Sequence, residues 1–260
     1  MNAIEKALAI LDLFDETQYE WRLAEIQRKL GIAKSSLHWT ISILVKNGYL
    51  FREEMSPVYR LGPRLLTLAD LCAEQYDLRR IALPFLKKLS NETKGTAALR
   101  IRMGTSSVAV AVVNSDQPLH VRYKPGEKLP INLGAPGKVL LAHMPFKEVI
   151  SLEKKGVIKK VTPSSITDLA TLARELKKIR IRGFAFSDAE AINGARAVAA
   201  PVRDRSGDVI GAVVLAFPSI SLPRSKIPIM SEVVIKCARG LSEALGNKEE
   251  EVNKIQSKNH

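Results

Sequence analysis

The 260-residue sequence predicts an α+β protein with an N-terminal winged helix-turn-helix, a linker helix and a C-terminal domain built on an antiparallel sheet. Three observations lead to this prediction. Amphipathic helical patterns precede two strand-like segments in residues 1–62, an apolar helical stripe follows Gly62, and strand pairs alternate with helical patterns beyond Gly95. With 46% hydrophobic residues, a chain of this length buries a sizeable core.

Composition argues against several classes of protein. The opening MNAIEKALAILDLFDE carries acidic groups where a secretory signal needs an apolar core, and apolar runs elsewhere are short, so we expect a cytoplasmic protein with no membrane partner. Cys72 and Cys237 lie far apart, and the four histidines lack metal-ligand spacing. We therefore expect neither a disulfide framework nor a metal site.

Positive charge is unevenly distributed along the chain. The formal net charge is +13, yet residues 1–62 hold 8 basic and 8 acidic groups, so the excess lies in residues 63–260. Within the first part, residues 28–62 hold 6 basic and 2 acidic groups, which permits a local basic face there. Later basic runs such as EKKGVIKK are more typical of solvated helix faces than of binding sites.

Three helical patterns open the chain. NAIEKALAILDLFDE has apolar residues at helical spacing, and LAEIQRKLG ends at a C-cap glycine, Gly31. IAKSSLHWTISILVKNG follows, starting near Lys34 or Ser35. YLFREE and VYRLG then alternate like two strands around a turn. Three helices followed by a hairpin predict a winged helix-turn-helix over residues 1–62.

The third helix separates apolar from polar side chains. Leu37, Ile41 and Leu44 fall on one face, and the opposite face of a recognition helix enters the major groove of DNA. The hairpin brings arginines toward the flanking phosphates. The predicted DNA contacts are Lys34, Ser35, Ser36, His38, Trp39, Ser42, Arg52 and Arg60. An ordinary solvated helix face is the alternative interpretation, and the Trp39 ring either meets bases or packs on the second helix or on sugar.

Residues 63–77 have the pattern of a linker helix. Leu65, Leu68, Ala69 and Cys72 form an apolar stripe, which is either core or a dimer seam. Asp77 is the expected N-cap of a second helical segment. That segment carries a stripe of Ile81, Phe85 and Leu89, and Pro84 either starts a turn or kinks it.

The C-terminal domain is predicted to span residues 78–247, ahead of a charged, disordered tail over residues 248–260. The expected strands are TAALRIRMG, SSVAVAVVN and LHVRYKPG, with a hairpin in RAVAAPVRDRSGDVIGAVVLAFP. The expected helices are GKVLLAHM, DLATLARELKKIRIRG and KIPIMSEVVIKCARGLSEALG. Hairpin strands with helices beside them indicate an antiparallel sheet, and such a sheet often holds a small ligand.

The sequence contains no complete catalytic motif of the kinds considered below. LGAPGKV differs from a phosphate-binding loop because Asn132 and Val139 stand where glycine and a hydroxyl residue are required. No G-x-S-x-G occurs. Asp188 and Glu190 in FSDAEAING, which we interpret as a loop, are more typical of carboxylates that bond their own backbone than of an acid/base pair. We expect no enzyme and no cofactor.

Several ordered motifs resemble the IclR-type transcriptional regulators over nearly the whole chain. AEIQRKLGIAKSSLHWTISILVKNGYL and YRLGPRLLTLA resemble the family's DNA-binding domain and linker, and PGEKLPINLGAPGKVLLA and GAVVLAF resemble its ligand domain. The resemblance implies a GAF-like effector-binding domain and a homodimer or dimer of dimers on a palindromic double-stranded DNA operator. It also implies control by a small organic metabolite. The other function class is a GAF-like ligand-binding protein or orphan enzyme with an appended helix-turn-helix.

The resemblance also assigns an effector pocket. Its positions fall on Val121, Leu129, Ala135, Pro136, Ser187, Asp188, Ala197, Val214 and Ala216. Some members carry a carboxylate at the Ser187 position and polar groups at positions 197, 214 and 216, where this chain has apolar side chains. Trp39 occupies a position where members of the family usually have arginine. We therefore predict a carboxylic or aromatic effector with a sizeable apolar body and one polar end.

Overall fold

The computed structural model describes residues 1–15, 17–53, 56–75 and 77–247. The predicted disordered tail, residues 248–260, lies outside the described residues. The chain divides into two compact units, one of residues 1–76 and one from residue 77 onward.

The N-terminal unit consists of short helices and a small antiparallel sheet. In chain order its elements are α1 (Ala3–Leu11), β1 (Trp21–Arg22), α2 (Leu23–Leu30), α3 (Lys34–Lys46), β2 (Leu50–Phe51), β3 (Val58–Leu61) and α4 (Arg64–Gln75). The strand order is β1-β3-β2. This confirms the predicted helices and hairpin, whereas β1 was missed because two residues are too few to show an alternating pattern.

Local sequence explains where these elements begin and end. Asn2 caps α1, with its side chain accepting from the Glu5 amide while the Glu5 carboxylate accepts from the Asn2 amide. Gly31 ends α2 in the left-handed conformation, with φ at 63°. Gly62 passes so close to the hairpin that a Cβ would lie 2.2 Å from the Gly48 carbonyl oxygen. Only glycine fits at that crossing.

The C-terminal unit contains a six-stranded antiparallel sheet. Its helices are α5 (Asp77–Thr93), α6 (Gly134–Ala142), α7 (Phe146–Lys154), α8 (Leu169–Arg182) and α9 (Ile227–Ala244), with a short 3-10 helix at Arg224–Lys226. Its strands are β4 (Thr96–Met103), β5 (Ser106–Val113), β6 (Lys128–Pro130), β7 (Ala185–Asp188), β8 (Ala195–Arg203) and β9 (Val209–Pro218). They lie in the order β6-β5-β4-β9-β8-β7.

Side-chain alternation gives the sheet two buried faces. Leu99, Val213 and Val198 belong to the core that includes buried residues of α5 and α9. Ala98 and Val214 belong to the other core, which includes buried residues of α6 and α8. We call this second side the α6 face. Both sides are apolar, so the central strands read as continuous hydrophobic runs.

Three predictions for this unit need correction. LHVRYKPG is not a strand, because side chains hold it: Thr96 Oγ1 donates to the Val121 carbonyl, and Asn114 bonds both backbone groups of Tyr123. Strand β6 lies just beyond it. FSD is strand β7 and not a loop. Pro84 lies inside α5 and therefore starts no turn.

Two further features differ from the sequence pattern. Helix α7 was not predicted. Along α5 the fully buried residues are Ala82 and Leu86, whereas Ile81 and Phe85 of the expected stripe are only partly buried.

Among the described residues, none of the helices has the length and apolar character needed to cross a membrane.

Candidate nucleic-acid interface and ligand site

Helix α3 presents a polar face to solvent. Leu37, Ile41 and Leu44 are buried, as its periodicity predicts. The exposed predicted contacts on this helix are Lys34, Ser35, His38, Trp39 and Ser42. Trp39 is 61% exposed, so most of its surface is open to solvent. The helix therefore exposes an imidazole, an indole, two hydroxyls and an ammonium group on one surface.

Two of the serines on α3 already have partners. Lys6 Nζ of α1 donates to Ser36 Oγ at 2.7 Å, so this half-buried hydroxyl helps to join α1 to α3. Ser42 Oγ donates to the His38 carbonyl at 2.8 Å, one turn earlier. Ser36 Oγ keeps its O–H as a donor and Ser42 Oγ keeps its lone pairs as acceptors, so each can contact DNA in only one of the two ways while these bonds persist. Among the described residues, no side-chain hydrogen bond restrains the rings of His38 and Trp39.

The two wing arginines differ in their surroundings. The Arg52 guanidinium lies over the Tyr59 ring at 5.6 Å, a cation–π contact that leaves its charge unopposed by that neighbour. Arg60 instead pairs with Glu20 and Glu53 while about half exposed. Arg60 can meet a phosphate only by sharing its charge with these carboxylates.

Most predicted effector residues meet on the α6 face. Ser187, Ala197 and Ala216 lie side by side across strands β7, β8 and β9. The same row ends at Thr96, whose hydroxyl holds the Val121 carbonyl. Other predicted members are buried in or beside this core: Val214 on β9 and Ala135 and Pro136 on α6. Leu129 is half-buried on β6, opposite Ser107.

Asp188 does not join that group. It pairs with Arg196 in the β7–β8 register, one residue from the Ser187 row, and strand alternation places both on the opposite side of the sheet. Its carboxylate accepts from Arg196 at 2.9 Å and Arg224 at 2.8 Å. The Arg196 hydrogen bond, helped by Arg224, holds the pKa of Asp188 below its usual value although partial burial opposes this. Asp188 is a structural ion-pair partner.

Arg100 is a buried charged residue on the α6 face that the sequence analysis did not single out. It lies on β4 at 0% exposure. Its Nε donates to Ser107 Oγ at 3.0 Å, and its Nη2 donates to the carbonyls of Ser107 and Glu127 at 2.8 and 3.0 Å. Burial lowers the pKa of Arg100, opposed by Tyr123 and Glu127. A charged residue inside the apolar run TAALRIRMG was the available signal.

Lys138 carries a second buried charge, on α6. Its Nζ donates to the Phe186 carbonyl and to Glu190 Oε1, both at 2.6 Å, and lies 3.6 Å from Glu175. Burial raises the pKa of Glu190 more than Lys138 lowers it. The Glu190 carbonyl accepts from Thr162 and Ser165, which fixes the loop after β7. This cluster ties α6 to the sheet edge, so Lys138 of GAPGKV holds the fold together.

Comparison with known proteins settles the family. Residues 71–243 match the bacterial transcriptional regulator IclR C-terminal domain, and residues 3–54 match the IclR helix-turn-helix domain. The chain belongs to the IclR family. This confirms the resemblance drawn from the motifs. As an IclR-family protein it is a transcriptional regulator with a helix-turn-helix domain and an effector-binding domain, and these domains imply DNA and a small molecule as partners.

Individual relatives match along nearly the whole IclR-family chain. XynR of Escherichia coli (strain K12), an HTH-type transcriptional regulator, is 29% identical over 246 residues, covering 95% of this chain and 98% of XynR. The crystal structure of the Thermotoga maritima IclR has a TM-score of 0.78 at 28% identity, covering 95% of this chain and 99% of that one. An IclR homolog of Microbacterium hydrocarbonoxydans complexed with 4-hydroxybenzoate shares the fold, with a TM-score of 0.79 at 21% identity and coverage of 94% and 99%.

Proposed function

We propose that this regulator binds a palindromic DNA operator as a homodimer or dimer of dimers, and that a small organic metabolite modulates this binding in the cytoplasm. Regulation, without catalysis, is its activity. The observation that carries the proposal is the open polar face of α3 beside a cationic wing, in a chain whose second unit has the effector-binding fold. Pseudo-twofold operators match the symmetry of paired helix-turn-helix units.

The DNA-binding part of the proposal divides the contacts by chemistry. Ser35, His38 and Trp39 project from α3 and can meet base edges or the methyl of thymine in the major groove. Lys34 and Arg52 supply positive charge for phosphates on either side. Ser36 and Ser42 add contacts while keeping their present partners, and Arg60 adds one by sharing its charge with Glu20 and Glu53. Because the base-reading groups are few, specificity rests mainly on His38 and Trp39.

The effector part rests on the α6 face. Val214, Ala216 and Ala197 are buried apolar residues beside the hydroxyl of Ser187. A small, highly hydrated acid would lose its water against these residues without enough donors to replace it, at a cost of several kcal/mol. We therefore propose a ligand with a sizeable apolar body and one polar end. The 4-hydroxybenzoate held by the Microbacterium homolog belongs to this class.

A gel shift with the DNA upstream of the chain's own gene tests the regulatory function. We expect retardation that persists against a large excess of unrelated DNA, and weaker retardation for His38→Ala. Lys88→Ala, which removes an exposed positive charge from α5, is the control. Retardation that unrelated DNA competes away completely would reject specific operator binding.

A thermal-shift screen tests the ligand class. Aromatic and branched-chain acids are compared with glyoxylate, pyruvate and short dicarboxylates on the full chain. We expect the bulkier acids to raise the Tm, because burying their apolar surface contributes about 25 cal/mol per Å². Stabilisation by the short polar acids alone would contradict the proposed pocket.

A further inference from the structure

One nitrogen of the buried Arg100 guanidinium has no hydrogen-bond partner. Arg100 Nη1 and Glu190 Oε2 are the two buried side-chain nitrogen or oxygen atoms in the described part of the chain that lack one. A guanidinium has five N–H donors, and buried charged donors are normally satisfied. The other two nitrogens of Arg100 are fixed by Ser107 and by the Glu127 carbonyl. The group is therefore held in one orientation with Nη1 available.

The nearest carboxylate does not satisfy Nη1. Glu127 Oε2 lies 4.0 Å away, beyond hydrogen-bond distance. The same oxygen accepts from the Lys124 backbone amide at 3.2 Å, which holds it at the turn before β6. Glu127 is 30% exposed and Arg100 is fully buried, so the carboxylate faces solvent more than its partner does. Arg100 keeps an incompletely paired positive charge.

The register places this charge among the predicted effector residues. Arg100 pairs with Ala212 on β9, and Ala212 and Val214 lie in the same core on the α6 face. Along β4, Arg100 follows Ala98 on the same side by about 7 Å. On its other flank, Ser107 accepts from Arg100 and is the cross-strand partner of Leu129. Arg100 thus lies opposite Ala212, two residues along β4 from the Ala98–Val214 pair, and bonds the cross-strand partner of Leu129.

We propose that Nη1 of Arg100 binds the carboxylate of the effector, which makes the effector a monocarboxylate whose apolar body lies on the α6 face. The inference rests on the proposed function and narrows its ligand class. A carboxylate supplies the charge-assisted acceptor that Nη1 lacks, whereas a primary amide of the same shape supplies no charge. Nearby Tyr123 adds no competing negative charge, because a phenol is uncharged at neutral pH and burial raises the pKa of Tyr123 further, to about 12.

The test compares each acid with its uncharged amide on the full chain. Benzoate is titrated beside benzamide, and isovalerate beside isovaleramide, with Kd measured by calorimetry. We expect at least one acid to bind ~10-fold or more tightly than its amide, equivalent to about 1.4 kcal/mol. Equal binding of acid and amide in both pairs, or no binding by either acid, overturns the proposal.

Three variants assign the preference to Arg100. Arg100→Met should remove the preference for the acid. Arg102→Met is the matched control, because Arg102 lies two residues along the same strand but is exposed and pairs with Glu148 at 3.0 Å. Glu127→Gln removes the competing carboxylate and should tighten binding of the acid several-fold. An acid preference that survives Arg100→Met, or that Arg102→Met abolishes equally, contradicts the assignment.

A second Arg100 variant and a gel shift separate loss of folding and loss of function from loss of the Arg100 contact. If Arg100→Met does not fold, Arg100→Lys retains the charge and loses the guanidinium geometry, and the acid should then bind more weakly than in the wild type; unchanged affinity contradicts the proposal. A gel shift on the same wild-type sample separates this inference from the proposed function. Operator binding without acid preference rejects only the Arg100 assignment, whereas loss of specific operator binding rejects the function itself.

Discussion

The outer face of α3 and the α6 face of the sheet use polar groups in opposite ways. On α3, His38 and Trp39 stand in solvent, where an unmade hydrogen bond costs little because water supplies it. On the α6 face, Arg100 and Lys138 are buried, and every unmade bond costs the full desolvation of the group. A polar residue on the first surface is ordinary, so only its neighbours suggest a function. A buried polar group on the second normally has a partner, and we infer a ligand from the partner that Arg100 Nη1 lacks.

Removing a buried charge should produce the largest effect on stability. Lys138→Met leaves Glu190 buried without its cation, and we expect a loss of ~3–5 kcal/mol in the free energy of unfolding. Urea denaturation of the full chain, followed by far-UV circular dichroism, measures it. The double variant Lys138→Met with Glu190→Leu should recover much of that loss, because no uncompensated charge remains. A single variant within ~0.5 kcal/mol of the wild type would show that the cluster is not held as described.

Removing an exposed polar ring should change binding and not stability. His38→Ala should weaken specific operator binding by ~1–3 kcal/mol if the imidazole makes a good base contact. The same substitution should alter the free energy of unfolding by no more than ~0.5 kcal/mol, since His38 is exposed and away from the core. Anisotropy with labelled operator and urea denaturation give the two numbers. Equal losses of operator-binding and unfolding free energy would contradict the proposed difference between the two surfaces.

Asp188 provides an intermediate case with a defined pH dependence. Its folded-state pKa is lowered, chiefly by the Arg196 hydrogen bond, so the folded protein favours the charged form. The resulting stability is present above the ordinary carboxyl pKa and is lost as the pH falls through the lowered one. Asp188→Asn should cost about 1 kcal/mol or less at pH 7, given its partial exposure.

The check is a comparison of melting temperatures at neutral and acid pH. The gap between the wild type and Asp188→Asn should shrink as the pH falls below the ordinary carboxyl pKa. Arg224→Gln, which removes the more exposed partner, should show a smaller gap with the same trend. A gap that widens on acidification would mean that the carboxylate is not stabilised by these arginines.

Substitutions of the two wing arginines should have the smallest effects on DNA binding, with a larger effect for Arg52 than for Arg60. Arg52→Ala should weaken binding to all DNA sequences and make the salt dependence shallower by about one phosphate contact. Arg60→Ala should do less, because Glu20 and Glu53 already offset its charge. Operator titrations at several salt concentrations distinguish them. A larger effect for Arg60 would mean that it exchanges both carboxylates for phosphate.

These surfaces also differ in how far the sequence predicts them. The face of α3 follows from helical periodicity alone, because each side chain's direction depends only on its position in the turn. The residues that meet on the α6 face depend on which strands pair and in what register, and a shift of one residue moves a side chain to the opposite side. The β7 register places Asp188 on the opposite side from Ser187 for that reason.

The same argument explains why Arg100 escaped notice. Its neighbours Ser107 and Glu127 come from other strands and turns, so nothing adjacent in sequence shows that Nη1 lacks a partner. Strands such as β4 and β5 were predictable because their hydrophobic runs are long. The segment after β5 was not, because hydrogen bonds from Thr96 and Asn114 hold it.

The central claim is that a ligand in the second unit controls the DNA-binding unit. The most direct test measures operator affinity with and without the best-binding carboxylate. Anisotropy of labelled upstream DNA gives Kd in both conditions for the full chain. Effector couplings are typically 1–3 kcal/mol, so the account predicts a change of about 5- to 150-fold in operator Kd at saturating ligand. An operator Kd that stays the same while the carboxylate is bound would contradict it.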